Sequence, residues 1–241
     1  MTDITIDAAD GPAAARYFAP ADAAAAGGVV LYMDAFGLRP ALDQMAERIA
    51  AAGYHVVVPD LFYRFAPYGP FDSSAFSQED SRKAIMTLIH GTTHEMTARD
   101  GAAFIAALRE RGAGGPIATV GYCLGGGRAL TAAARYPGDI VAAASFHGGN
   151  LASDAPDSPH LQAGAIKARV YVATAGVDQS FPPAQSARLA EALREGGVDH
   201  MIENYVGMQH GWTVPDSLVY DAVGAERHWK RLLNFLDETL R

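Results

Sequence analysis

The chain holds a single cysteine, and its surroundings are the stretch best suited to chemistry. In Thr119-Val120-Gly121-Tyr122-Cys123-Leu124-Gly125-Gly126-Gly127 an apolar, β-branched run gives way to glycines. A strand ending near Gly121 and a helix starting near Gly125 leave Cys123 alone on a very sharp turn. Glycines two residues before and after a strained central residue are what a nucleophile elbow requires, because side chains there would strike the neighbouring strand and helix. The turn also aims the Leu124 N–H and the positive end of the helix at the place where a tetrahedral oxyanion would form. A thiol at a helix N-terminus is activated as a nucleophile. The ordinary fate of a lone cysteine is burial as a small apolar filler, but the Gly-x-Cys-x-Gly-Gly setting outweighs it. A phosphate-binding glycine loop is a weaker rival. The dinucleotide fingerprint needs glycine where Cys123 stands, and no Lys-Ser/Thr pair follows as in a P-loop.

A nucleophile on such a turn predicts an acid after a later strand and a histidine after a still later one. Ala173-Thr174-Ala175-Gly176-Val177-Asp178 supplies the acid and Val206-Gly207-Met208-Gln209-His210-Gly211 the base. Taken singly, Asp178 reads as a turn or cap residue and His210 is evenly balanced. Three matches in the right order are far less expected by chance. Other candidates are weaker. His90 and His94 stand four apart, but Gly91, Thr92 and Thr93 break helical order and no third ligand is evident, so both are expected in a solvated loop and no metal is expected. His147, at the end of a strand, borders the expected pocket and is assigned no role. The aromatic stretch from Phe62 to Phe76, rich in Pro and Gly, reads equally as a wall over the site or as a surface loop packing its own rings. Arg64 within it is the candidate anion contact.

These residues need a scaffold that delivers them to one edge. Short apolar runs at Val29 to Met33, Tyr54 to Val58, Ile117 to Gly121, Val141 to Phe146, Val170 to Ala175 and Met201 to Val206 read as buried strands. Between them, Leu42, Met45, Ala46 and Ile49, then Phe104, Ile105 and Leu108, then Leu189, Ala190 and Leu193 recur at helical spacing. Trp229, Leu232, Leu233 and Leu236 mark a final helix. Alternation of strand and helix implies right-handed crossovers and an α/β class: a doubly wound, mostly parallel sheet with helices on both faces. Two short strands, near Ile4 to Ile6 and Ala14 to Ala19, are expected ahead of it as edge strands around a Gly11-Pro12 turn. Ala19 to Gly28 reads as an exposed connection rather than a boundary. A single domain over 1–241 is expected, and 241 residues suffice for a full core without disulfides or metal.

Composition narrows the partners. A net charge of −8 without Lys/Arg blocks argues against nucleic acid. The run Ala23 to Met33 is too short to cross a bilayer. The opening residues lack the basic start and apolar run of a signal peptide, and a lone cysteine forms no internal disulfide, which together point to the cytoplasm.

Gly121 to Gly126, Asp178 and His210-Gly211 resemble the dienelactone hydrolase family of α/β hydrolases, whose mark is Cys in place of Ser in the elbow. The resemblance extends to Met33 to Gly37, Pro59-Asp60-Leu61 and the last helix. It implies the α/β-hydrolase fold, no cofactor, and a small-molecule ester or lactone as substrate. By resemblance Cys123 attacks the carbonyl, His210 transfers the proton, Asp178 orients His210, and the N–H groups of Leu124 and Ala35 hold the oxyanion. The family's glutamate that accepts the thiol proton is replaced by Asp34, one methylene shorter. One of the two arginines that clamp a substrate carboxylate in its dienelactone-specific members is replaced by Val214; the other would fall near Arg82. An anionic dienelactone is therefore a poor candidate, and a less charged ester or lactone a better one. Two other readings compete: a non-catalytic or thiol-sensing protein on a retained hydrolase scaffold, and a nucleotide-dependent oxidoreductase resting only on the α/β pattern and Gly125 to Gly127.

Overall fold

The computed structural model describes residues 1–22 and 27–241. Eight strands form one sheet: β1 (Thr2–Ala8), β2 (Gly11–Phe18), β3 (Gly28–Tyr32), β4 (His55–Pro59), β5 (Ile117–Tyr122), β6 (Ile140–Phe146), β7 (Arg169–Val177) and β8 (His200–Gln209). Their order is β1-β2-β4-β3-β5-β6-β7-β8. β1 and β2 run antiparallel to their neighbours, and β4 through β8 are parallel. The helices are α1 (Pro40–Ala51), α2 (Glu79–Gly91), α3 (His94–Glu110), α4 (Leu124–Arg135), α5 (Pro183–Glu195) and α6 (Ala222–Leu240).

This order places the helices. From β3 the chain passes through α1 to β4 on one side, then through α3 to β5 on the other. Right-handed crossovers in opposite directions lie on opposite faces. α1 and α6 share one face, where Arg48 pairs with Glu226 and lies over the Trp229 ring. α3 and α4 pack together on the other. Strands covered on both faces must be apolar throughout, and every residue of β3, β4 and β5 is buried. The direction reverses at β3, so the C-terminal ends of β3 and β5 flank the crevice where sheets of this kind bind ligands.

The six strands β3 to β8 fall within a few residues of their expected positions, and β8 runs on to Gln209. The N-terminal hairpin departs in two ways. Its turn is Ala9-Asp10, with Ala8 facing Gly11, and Pro12 is already in β2 opposite Asp7. Of the two hairpin strands only β1 is an edge, because β2 also pairs with β4 through Ala15 to Phe18. Pro12 is tolerated since that second pairing starts beyond it. The expected connection from Ala19 to Gly28 includes 23–26, which lie outside the described residues, and Gly28 is in β3. No helix among the described residues is long and apolar enough to cross a membrane.

Candidate active site

Cys123 stands between β5 and α4 with φ 54° and ψ −116°, a region that costs a non-glycine residue about 1–3 kcal/mol. Two close approaches hold it there. A Cβ on Gly121 would lie 1.9 Å from the Gly125 carbonyl oxygen, and one on Gly125 would lie 2.3 Å from the Tyr32 carbonyl oxygen. Only hydrogen fits at either position, so these glycines let helix α4 sit against the ends of β3 and β5. The Cys123 N–H donates to the Phe146 carbonyl at 3.1 Å, tying the turn to β6. Leu124 opens α4, and its N–H has no acceptor within the helix. Ala35, after β3, is buried in a small apolar cluster with Ala75 and Ile85, against which Cys123, Phe36, Phe71 and Ile89 pack.

The acid and base arrive from the next strand ends. Asp178 follows β7 and His210 follows β8. His210 Nδ1 donates to Asp178 Oδ2 at 2.7 Å. The other carboxylate oxygen accepts from the Ser180 hydroxyl at 2.7 Å and the Ser180 N–H at 2.8 Å. Burial alone would raise the Asp178 carboxyl, but the bonds from His210 and Ser180 hold it below the usual carboxylate value. With Nδ1 committed to Asp178, the far ring nitrogen remains for Cys123, whose sulfur lies close enough to act on the ring. Burial opposes charge on His210; the attraction of the Cys123 sulfur and the Asp178 bond overcome it and push the imidazole up to about 10. The structure therefore brings the three together, with His210 hydrogen-bonded to Asp178 on one side and influenced by the Cys123 sulfur on the other.

The remaining candidates fall elsewhere. Asp34 turns to Arg39, which grips both carboxylate oxygens at 2.6 and 2.8 Å, rather than to Cys123. It is buried, and among the described residues no hydrogen bond joins it to the thiol. Arg64 does not face the site: its two terminal nitrogens each donate to Asp100 at 2.9 Å and its Nε to Asp10 at 2.7 Å, locking the start of the aromatic stretch to the N-terminal hairpin. Arg82 is exposed on α2, one helical turn before Ile85, with no ion pair among the described residues. Val214 is buried. The aromatic stretch does both things weighed for it. Tyr68 packs edge-on against Phe62 and stacks on Phe71, while Phe71 also reaches the apolar cluster beside Cys123.

His90 and His94 are helical, at the end of α2 and the start of α3, rather than in a loop; the break between them is confined to Thr92-Thr93. His94 pairs with the Thr131 hydroxyl at 3.0 Å, and burial then Arg128 depress it to about 3.

Two residues at the site, Ser180 and Arg39, were not anticipated from the sequence, and a third, His147, was expected at its border without a role. Ser180 supports Asp178, and Asp-x-Ser is a recognisable side-chain turn. His147, fully buried at φ 39°, packs edge-to-face on His210 with ring centroids 5.0 Å apart. Arg39 joins Asp34 to Asp216 from the loop after His210. No local pattern announces Arg39, since its partner Asp216 is distant in the chain.

Comparison with known proteins bears on this geometry. The sequence pattern of the dienelactone hydrolase family matches residues 13–240. The chain belongs to that family. Among its relatives, a carboxymethylenebutenolidase of Rhodococcus opacus is 26% identical over 221 residues, spanning 88% of this chain and 81% of the other. Carboxymethylenebutenolidase 1 of Cupriavidus pinatubonensis is 33% identical over 108 residues, 44% of this chain and 45% of the other. Among solved structures, a dienelactone hydrolase-like promiscuous phosphotriesterase, P91, from metagenomic libraries superposes with a TM-score of 0.79 at 23% identity, covering 100% and 99% of the two chains. The dienelactone hydrolase fold is thus shared throughout, and the family is one of hydrolases.

Proposed function

We propose that the protein hydrolyses uncharged carboxylic esters or lactones through a thioester on Cys123. The observation that carries this is the line Asp178–His210–Cys123, with the sulfur on a strained turn beside the first N–H of a helix. The Cys123 sulfur attacks the carbonyl carbon, and the carbonyl electron pair moves onto oxygen, where the Leu124 and Ala35 N–H groups receive it. Collapse of the tetrahedral species expels the alkoxide, which takes a proton from His210. Water then gives a proton to His210, adds to the thioester, and releases the acid and the thiolate. Asp178 fixes the ring so that one nitrogen faces the sulfur throughout.

Charge selects the substrate. The cluster beside Cys123 is apolar. Two of the arginines in the neighbouring loops are spent, Arg39 on Asp34 and Asp216 and Arg64 on Asp10 and Asp100. Arg82 is the remaining candidate for a substrate carboxylate, and an exposed lone guanidinium gives a weak, solvent-screened contact. Neutral aryl and alkyl esters are therefore expected to be turned over faster than matched esters or lactones carrying a carboxylate. A panel of such pairs, compared by kcat/KM, tests this, and a marked preference for the anionic members would contradict it. A thiol-sensing role predicts instead a thiol oxidised by peroxide and no turnover anywhere in the panel. The unpaired cysteine suits a reducing cytoplasm.

A further inference from the structure

The loops that carry the oxyanion donor, the histidine and the aromatic wall belong to three separate parts of the chain, yet one guanidinium joins two of them and its partner residue holds the third. Arg39, at the start of α1 and only 8% exposed, donates from Nη1 and Nη2 to the two oxygens of Asp34 at 2.6 and 2.8 Å. It also donates from Nε and Nη2 to the two oxygens of Asp216 at 2.7 and 3.0 Å. Nη1 reaches the Gly37 carbonyl at 3.3 Å as well. The Asp34 oxygen that Nη1 grips accepts the Phe36 N–H at 3.0 Å, so the residues on either side of Ala35 are pinned to one atom. Asp216 sits six residues past His210, beyond a train of turns in which the N–H of Trp212, Val214 and Ser217 bond back to Gln209, Gly211 and Val214. Its carbonyl accepts the Ser73 hydroxyl at 2.7 Å, which brings in the aromatic stretch.

We infer that Asp34, Arg39 and Asp216 form a latch that sets the Ala35 N–H at the distance from Cys123 and His210 that the oxyanion needs. The inference rests on the ester-hydrolase reading above and adds a positioning role for three residues, none of which touches the reacting atoms. A planar fork bonded to two carboxylates fixes both distance and orientation between the loops it joins, which a lysine point charge would not do. With both Asp34 oxygens engaged, Asp34 is held away from the thiol. That leaves His210, rather than a carboxylate that substrate must displace, as the activating partner for the sulfur.

Two reactions of the same sulfur separate the latch from general loosening. Ester hydrolysis passes through an oxyanion; alkylation of Cys123 by iodoacetamide does not. Arg39→Met and Asp216→Asn are each compared with wild type for kcat on a neutral p-nitrophenyl ester and for the rate of alkylation. The latch predicts that kcat falls about tenfold to a hundredfold in Arg39→Met, the scale of a displaced oxyanion donor. A smaller fall is expected in Asp216→Asn, where the carboxylate is partly exposed and Asp34 stays gripped. Alkylation stays within about twofold of wild type in both. Equal losses in the two reactions, or kcat unchanged in both variants, overturn the latch. A wild type that is alkylated but hydrolyses no ester overturns the ester-hydrolase reading and the latch with it. If Arg39→Met does not fold, Asp216→Asn decides alone by the same split.

Discussion

At the scale of single residues, the site depends on a histidine whose charge is set by its neighbours. Burial works against an imidazolium at His210, and the Cys123 sulfur and the Asp178 carboxylate more than offset it, raising the ring to about 10 from an ordinary 6.5. The sign follows: the charged form is the one the fold favours, so His210 stays protonated through neutral pH and loses its proton only near the upper value. Removing the sulfur removes the largest favourable contribution. In Cys123→Ala the titration midpoint of His210, followed by the NMR shift of its ring protons, is expected to fall by more than one pH unit. A midpoint unchanged by the substitution, or near 6.5 in wild type, would count against the pairing. The side chains of this triad were legible because each sits at a strand end beside its own punctuation: glycines around Cys123, a Gly-Val-Asp turn at Asp178, and Gly211 after His210. Arg39 and Asp216 were not legible. Their roles come from partners up to 177 residues away, as between Arg39 and Asp216, and no spacing rule encodes such a distance.

At the scale of elements, the turn between β5 and α4 is where fold and chemistry are the same constraint. Cys123 is strained because the helix must begin where it does, and the helix can begin there only because positions 121 and 125 carry no side chain. Gly121→Ala would force two backbones apart. It is expected to cost at least about 3 kcal/mol of stability, the upper end for overpacking, because the obstructing atom is a carbonyl rather than a yielding side chain. Gly138→Ala, whose added methyl meets nothing within 4 Å, is the matched control and should shift the urea midpoint little. Equal midpoints for the two variants would show that the turn tolerates what the geometry forbids. The buried strands were legible at this scale because strands covered on both faces are continuous apolar runs. The N-terminal hairpin was misplaced because Gly11-Pro12 has turn composition, while the turn itself falls on Ala9-Asp10. The aromatic stretch stayed ambiguous because its rings serve both purposes, and only the contact between Phe71 and the cluster beside Cys123 reveals the second.

At the scale of the whole molecule, the sheet's reversal at β3 collects one residue or loop from each of four strand ends: Ala35 after β3, Cys123 after β5, Asp178 after β7 and His210 after β8. The net charge of −8 adds a long-range bias to the local one. A negative molecule repels anionic substrates before they reach the apolar cluster, and salt screens that repulsion. In the ester panel, added salt should therefore narrow the gap between neutral and anionic members without abolishing it. The central claim is that Cys123 carries the acyl group during turnover, and rapid mixing with a p-nitrophenyl ester followed by acid quench and mass analysis tests it most directly. The expected result is a burst of p-nitrophenolate close to one equivalent of enzyme, the acyl mass on the peptide containing Cys123, and loss of both burst and turnover in Cys123→Ala. Turnover that survives in Cys123→Ala, with no acyl group on that peptide in wild type, would contradict the account.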